Sequence, residues 1–231
     1  MRTVTLIFLT LFSLLSLSCN FISDDVTDFD FILPEKEFTV DSSQFGIQIN
    51  ETAIPEVACP GTPSCADLGE NFQCGTDGFC EAEASYDLKS DIIVLKDEVE
   101  EFAVITSQDH ISVSFKYIQM QVVTNTLNFD LPPLDLYIAP QSVTALRDAQ
   151  GDLNSEVRMV GTLDTIQAGK TGYYDVNLAP AGQDTLTSFV QHPDVPFYLF
   201  VSGTSSFGAG DSVPAGALTV RVHSRATASI N

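Results

Sequence analysis

The 231-residue chain contains no tryptophan, three histidines, and only ten lysines and arginines against thirty-one aspartates and glutamates. Each shortage removes something. A formal net charge of −21 repels phosphate backbones and anionic lipid headgroups, so no nucleic-acid partner is expected. The three histidines, His110, His192 and His223, stand without partners at a recognisable spacing. The nucleophile-elbow pattern G-x-S-x-G is missing, because in the stretch GTSSFG the second glycine, Gly208, comes one position too late after Gly203. The metalloprotease H-E-x-x-H pattern, C-x-x-C and Gly-rich phosphate loops are absent too. The sequence therefore predicts no enzyme and no cofactor. A hydrolase would need one of those histidines to meet a serine or carboxylate in a cleft assembled by the fold.

The lack of tryptophan also bears on sugars, which commonly rest on aromatic platforms. Here Tyr117, Tyr137, Tyr173, Tyr174 and Tyr198 would have to serve. Tyr173 and Tyr174 form the best-placed pair, since strand neighbours face opposite sides and one must point outward.

What is present is an ample core and a great deal of acid. Apolar residues make up 44% of the chain, enough for one large domain or a domain with an extension. The acid is uneven: residues 20–110 carry 21 acidic and 3 basic side chains (a balance of −18), residues 111–231 carry 10 and 6 (−4). An acidic N-terminal half thus leads into a nearly neutral body, and solubility through self-repulsion accounts for it.

The start of the chain reads as an export leader. Met1 and Arg2 give a short basic region, and residues 4–17, VTLIFLTLFSLLSL, form an apolar run below the roughly 20 residues of a membrane span. No later run is long and apolar enough to cross a bilayer. The sequence Ser16-Leu17-Ser18-Cys19 resembles the lipobox of bacterial lipoproteins, in which peptidase II cuts before a diacylglyceryl-modified cysteine. Ser18 fits the pattern; Ser16 and Leu17 stand where the family usually has leucine and a small residue. The resemblance implies a signal peptide over 1–18, a lipid on Cys19 and a membrane held through that lipid. Asn20, in place of a retaining aspartate, implies the outer membrane or cell surface. Simple secretion, with Cys19 removed or left free, is the alternative.

Cysteine arithmetic agrees with the anchor. Of five cysteines, Cys59, Cys65, Cys74 and Cys80 fall within 22 residues and Cys19 is left over. Residues 59–80, spaced C-x5-C-x8-C-x5-C and rich in Gly, Pro, Asn and Asp, hold too little apolar surface to fix their own shape. Two disulfides, each contributing about 2–4 kcal/mol, would staple them, and three connectivities are open. The spacing is wrong for zinc, which favours C-x2-4-C.

From residue 86 onward short strands recur between turn residues. Residues 110–125 alternate, with Ile111, Val113, Phe115 and Tyr117 on one face, until the parity flips at Ile118, Met120 and Val122; a one-residue bulge or burial on both sides explains the flip. Residues 127–131 and 134–138 read as strands around the corner of Pro132 and Pro133. Residues 195–204 are apolar on both faces, as in a central strand, and 216–228 alternate as a final half-exposed one. Further strands are expected at 38–40, 45–49, 92–96 and 100–107, and a short helix at 184–191.

These signals predict an all-β chain: an antiparallel β-sandwich, immunoglobulin-like or jelly-roll-like, with a disulfide-stapled N-terminal segment. The domains expected are the leader (1–18), an anchor and acidic tether with one or two strands (19–58), the four-cysteine segment (59–80) and the sandwich (86–231). After residue 110 the order of parts is similar to the immunoglobulin-like sandwich of LEA14-type late-embryogenesis proteins, in fold alone. No metal is assigned, although Asp148, Asp152, Asn154 and Glu156 alternate around Gly151 as calcium ligands in a loop do. The expected role is a non-enzymatic binding, adhesion or structural module whose partner is a surface protein or glycan. A secreted carbohydrate- or calcium-binding module is the alternative.

Overall fold

The structure, a computed structural model, describes residues 28–104 and 111–230. The leader, Cys19 and His110 lie outside the described residues. Two antiparallel sheets pack face to face as a β-sandwich. In the first, β1 (Asp28–Ile32) and β2 (Lys36–Asp41) lie end to end along one side of β11 (Ala217–Ile230). The other side of β11 pairs with β5 (Ile111–Asn125), which pairs in turn with β8 (Gly172–Asp175). The second sheet runs β3 (Phe72–Cys74), β4 (Cys80–Lys89), β10 (Phe197–Phe207), β6 (Leu134–Pro140), β7 (Arg158–Leu163) and β9 (Asn177–Leu178).

Period-two alternation builds the core. Leu218, Val220 and Val222 of β11, Met120 and Val122 of β5, and Phe38 and Val40 of β2 face Leu136 and Ile138 of β6 and Leu199 and Val201 of β10, all buried in one cluster. The parity flip in β5 is a bulge. Phe115 pairs with Ala226 and Tyr117 with Arg225, so Lys116 is the extra residue. Beyond it Ile118 turns inward, and Tyr117 turns outward at 42% exposure instead of sharing the face of Phe115 as alternation predicts. Between β1 and β2 the ladder breaks at Leu33-Pro34-Glu35, where proline has no N–H to give β11.

β10 is apolar on both sides because both sides are covered. Its inner face meets the sandwich core. Its outer face, with Phe200 beside Tyr137 and Ala139 of β6, lies beneath Val143, Leu146 and Val157 of the following loop in a second, smaller core. Helix α1 (Leu95–Glu98) precedes a 3-10 turn, and helix α2 (Gly182–Val190) buries Leu186 and Val190 while contacting β5 and β7, one strand from each sheet.

Several expected strands are absent. After β2 the chain turns at once: Asp41 Oδ1 accepts from Ser43 N at 2.8 Å and a 3-10 helix (Ser42–Phe45) follows, so 45–49 is no strand. Residues 92–104 are largely helical, because Leu95, Val99 and Phe102 bury themselves at helical spacing. Residues 127–131 form no strand: Leu131 makes a single bridge to Ile166, and Asn128 N donates to Ala215 O. The sandwich also extends ahead of residue 86, taking in 28–41 and 72–85. The inward positions of β4 there are Cys80, Ala82 and Ala84, whose small side chains carry a weak hydrophobic signal.

The disulfides join Cys59 to Cys74 and Cys65 to Cys80, first to third and second to fourth. Cys80 is fully buried, so the second bond ties the stapled segment to the sandwich core. Replacing Cys65 and Cys80 together by serine is expected to lower unfolding stability by about 3 kcal/mol, read by urea titration with the Cys59–Cys74 bond intact.

Tyr86 of β4 lies across Gly203 of β10, where an added Cβ would come within 2.6 Å of the Tyr86 hydroxyl and 2.8 Å of Leu134 Cδ2. Gly203→Ala is therefore expected to destabilise by about 1–3 kcal/mol. The Tyr86 hydroxyl is buried with no hydrogen-bond partner, so Tyr86→Phe should instead gain about 1 kcal/mol. Paired denaturation curves check both; equal losses in the two variants would contradict this packing.

Candidate functional site

The loop of the calcium candidates is built from its own hydrogen bonds. Asp148 Oδ1 accepts from Gln150 N (2.9 Å) and Asp152 N (3.0 Å), Asn154 Oδ1 accepts from Glu156 N (3.1 Å), and Glu156 Oε2 accepts from Ser142 Oγ (3.0 Å). Those oxygens shape turns that fold Val143, Leu146 and Val157 over β10. The structure gives this loop a packing role and does not bring its carboxylates together. Among the described residues, the only three acidic, histidine or cysteine side chains with ligand atoms within 4.8 Å of one another are Cys59, Cys65 and Cys80. Their sulfurs are already in disulfides.

Of the residues singled out by sequence, the solvent face of the five-stranded sheet carries Tyr117, Tyr173 and His223. His223 points outward, but not into open solvent: Nδ1 lies 2.9 Å from Glu35 Oε1 and Nε2 lies 3.0 Å from Gln121 Oε1. Tyr173 meets the His223 ring edge-on at 5.7 Å and is 60% exposed, while its neighbour Tyr174 packs against the core. Tyr137 is buried beside Asp135, and burial pushes its phenol up to about 12, with the nearby Asp135 charge adding to the shift. Tyr198 lies beneath Lys89 Nζ, 4.3 Å from its ring centre. His192 is exposed in the turn after α2. The five tyrosines therefore form no common platform, and neither described histidine hydrogen-bonds a serine hydroxyl.

Farther along the same face, Asp30 of β1 gathers three donors. Lys116 Nζ, the bulge residue, donates to both oxygens at 2.6 and 2.7 Å, Thr227 Oγ1 donates at 2.6 Å and Arg225 Nη2 at 2.9 Å. Hydrogen bonding from Lys116 and then Thr227 holds this carboxyl well below the ordinary carboxylate range.

A concave feature assembled from several segments lies at one end of the sandwich. β6 pairs with β10 only as far as Ser202, because the chain before β6 bends away at Pro132 and Pro133. β10 continues through 203–207 with β4 on one side. On the other side, among the described residues, no backbone hydrogen bond joins it to 127–133. The gap is a cavity of about 580 Å³, floored by Ser205 and Phe207 and walled by Phe129, Asp130 and Asp211. Asn128 fixes the rim, donating from Nδ2 to Val213 O (3.0 Å) and accepting at Oδ1 from Ala215 N (2.8 Å). No basic side chain lines the cavity.

Two buried hydroxyls sit at this end. Ser205 Oγ (residue exposure 2%) and Tyr86 Oη make no hydrogen bond of acceptable geometry, although the two groups are neighbours. Burial pushes the Tyr86 phenol up to about 12. Sequence reasoning passed over this cavity. The available signal was the polar run Thr204, Ser205 and Ser206 inside an otherwise apolar strand, together with a proline pair too close to allow a full-length partner strand.

No protein-family model matches the chain, and no curated protein matches it significantly. Among solved structures, one matches from work on the structural basis for the promiscuous specificity of carbohydrate-binding modules of the β-sandwich superfamily. It is 11% identical, with a TM-score of 0.24, over 85% of this chain and 54% of that one. The chain thus spans about half the length of that structure.

The Asp30 cluster generates a pH signature. A carboxyl held low in the folded state stabilises fully above its unfolded value, and that stabilisation fades as pH falls from about 3.8 toward the lowered value. Asp30→Asn is expected to be less stable than the parent at pH 7 and to converge with it as the pH drops below 3.8. Chemical denaturation at pH 7, 5, 4 and 3 reads this; a gap that stays constant across the series contradicts it.

Proposed function

We propose that this protein is an exported, lipid-anchored binding module of the cell envelope without enzymatic activity, and that the cavity beside the unpaired end of β10 is its binding end. The carrying observation is polarity along the sandwich. The chain enters at Asp28, which pairs with Ser229 at the far end of β11, beside the start of β5. The cavity is lined by Asn128, just past the end of β5, and by Ser212, shortly before β11 begins. Entry and cavity are thus separated by the run of β5, on the order of 45 Å at about 3.3 Å per residue. A lipid on Cys19, nine positions before Asp28, would hold the entry end toward the membrane and present the cavity outward.

Other features support the reading. Two formed disulfides suit an oxidising compartment. No described helix is long and apolar enough to cross a membrane, so attachment would fall to the lipid. The rim is pinned by side chain–backbone bonds, as a preorganised binding site requires. Of the two described histidines, His223 serves sheet-face contacts and His192 is exposed in a turn.

The intact mass of the mature protein from membranes, beside that of a Cys19→Ala variant, tests the anchor. The expected result is a diacylglyceryl-modified N-terminus at Cys19 that the variant loses, together with its membrane association. A soluble, unmodified product beginning after Cys19 would leave a secreted module instead.

A further inference from the structure

We propose that the cavity at the end of β10 binds a neutral, hydroxyl-rich ligand, a sugar unit of a glycan, seated on Phe129 with its hydroxyls on Asp130, Asp211 and the free edge of β10. The proposal rests on the binding-module reading and assigns that site its ligand class.

The walls define the chemistry. A volume of about 580 Å³ lies within the range of small-molecule sites. Each carboxylate has one oxygen committed to the backbone: Asp130 Oδ1 accepts from Ala168 N at 2.8 Å and Asp211 Oδ2 accepts from Gly208 N at 2.8 Å. These bonds fix both groups and leave the second oxygen of each to accept from a ligand. Among the described residues no cation pairs with either carboxylate. Two negative charges without a basic neighbour, on a chain of net charge −21, repel phosphate, sulfate and uronate and favour groups that donate hydrogen bonds.

Phe129 supplies the apolar surface. Its ring is locked edge-on against Phe207, with centroids 5.0 Å apart, and against Phe45 at 5.9 Å, yet it is only partly buried. A pyranose presents an apolar C–H face and a ring of hydroxyls, which matches one fixed aromatic flanked by acceptors. The floor adds the unpaired edge of β10, where Ser206 stands on the exposed parity of the strand.

An extended peptide fits less well. Strand addition to the open edge would draw specificity from apolar pockets for alternate side chains, and beyond Phe129, Phe207 and Pro132 this wall offers serine, threonine, asparagine and aspartate. A bound metal fits less well too, since Asp130 and Asp211 belong to no group of three acidic, histidine or cysteine side chains converging within 4.8 Å.

The test is calorimetric titration of the mature protein, in detergent micelles if lipidated, with maltotetraose, cellotetraose, xylotetraose and mannotetraose, and with tetragalacturonate as an anionic counterpart. At least one neutral tetrasaccharide is expected to bind, and at least tenfold more tightly than tetragalacturonate. Asp211→Asn, at an exposed position, and Phe129→Leu should each weaken that binding at least tenfold. Tyr173→Ala, on the outer sheet face, should leave it within twofold. Thermal unfolding of each variant separates lost contact from lost fold, and Asp211→Asn keeps the test decisive if Phe129→Leu unfolds.

The proposal is overturned if none of the four neutral sugars binds or if tetragalacturonate binds better. It is also overturned if Asp211→Asn leaves binding intact, or if Tyr173→Ala abolishes it. Sugar binding by a protein with an unmodified N-terminus would remove the anchor and leave this site standing. A lipidated protein that binds no sugar would do the reverse.

Discussion

The ladder between β5 and β11 is the constraint on which the rest of the molecule depends. It pairs Leu218 through Ile230 with Asn125 back to Ile111, and it carries both N-terminal strands on its far side and β8 on its near side. One residue of slippage would turn Leu218, Val220 and Val222 out to solvent and bring Arg221 and His223 into the core. The bulge at Lys116 lets this long ladder keep an apolar inner face although the sequence changes parity halfway. The displaced lysine is not idle: it lands on Asp30 of β1 and, with Arg225, ties the edge strand to the ladder. A local defect in pairing thus becomes the electrostatic centre of the outer face.

The second sheet depends on a different asymmetry. β10 outruns β6 because Pro132 and Pro133 cannot extend the ladder, so its last residues have a strand on one side only. A free strand edge exposes a row of donors and acceptors, which folded proteins normally cover, charge or keep short. Here the edge is short, lies inside a cavity and is flanked by Asp130 and Asp211. This combination discourages edge-to-edge association and leaves polar groups turned toward a small ligand. The proposed site thus arises where two prolines end one strand before its neighbour ends.

Much of the architecture was legible in the chain. The doubly apolar 195–204 segment foretold a central strand, and the structure supplies the second cover in Val143, Leu146 and Val157. The parity flip at Ile118 left a bulge or burial on both sides open, and the register of β5 against β11 decided for the bulge. What misled was ambiguity over short distances. Residues 92–104 open on a continuous apolar run, Ile92 to Leu95, that fits period two and period 3.6 alike, and tertiary burial of Leu95, Val99 and Phe102 settled them as helical. Residues 81–85 fell between the four-cysteine segment and the expected sandwich and carried no strand expectation, because alanine advertises little burial, although with Cys80 they form the first part of β4. The cavity had no comparable periodic signature. It is made from three segments distant in sequence, and its polar residues look like ordinary turn chemistry one segment at a time.

By itself the sequence determined the all-β class, the alternation that assigns inner and outer faces, the pairing potential of four clustered cysteines and the acidity that turns anions away. These are local or compositional properties, set by side-chain period and charge. Only the tertiary structure decided which cysteines join, which polar residues on the outer face find partners, and that Phe129, Asp130, Ser205 and Asp211 share one cavity. Those outcomes depend on strand register and on where each ladder stops, and both follow from contacts between residues far apart in the chain.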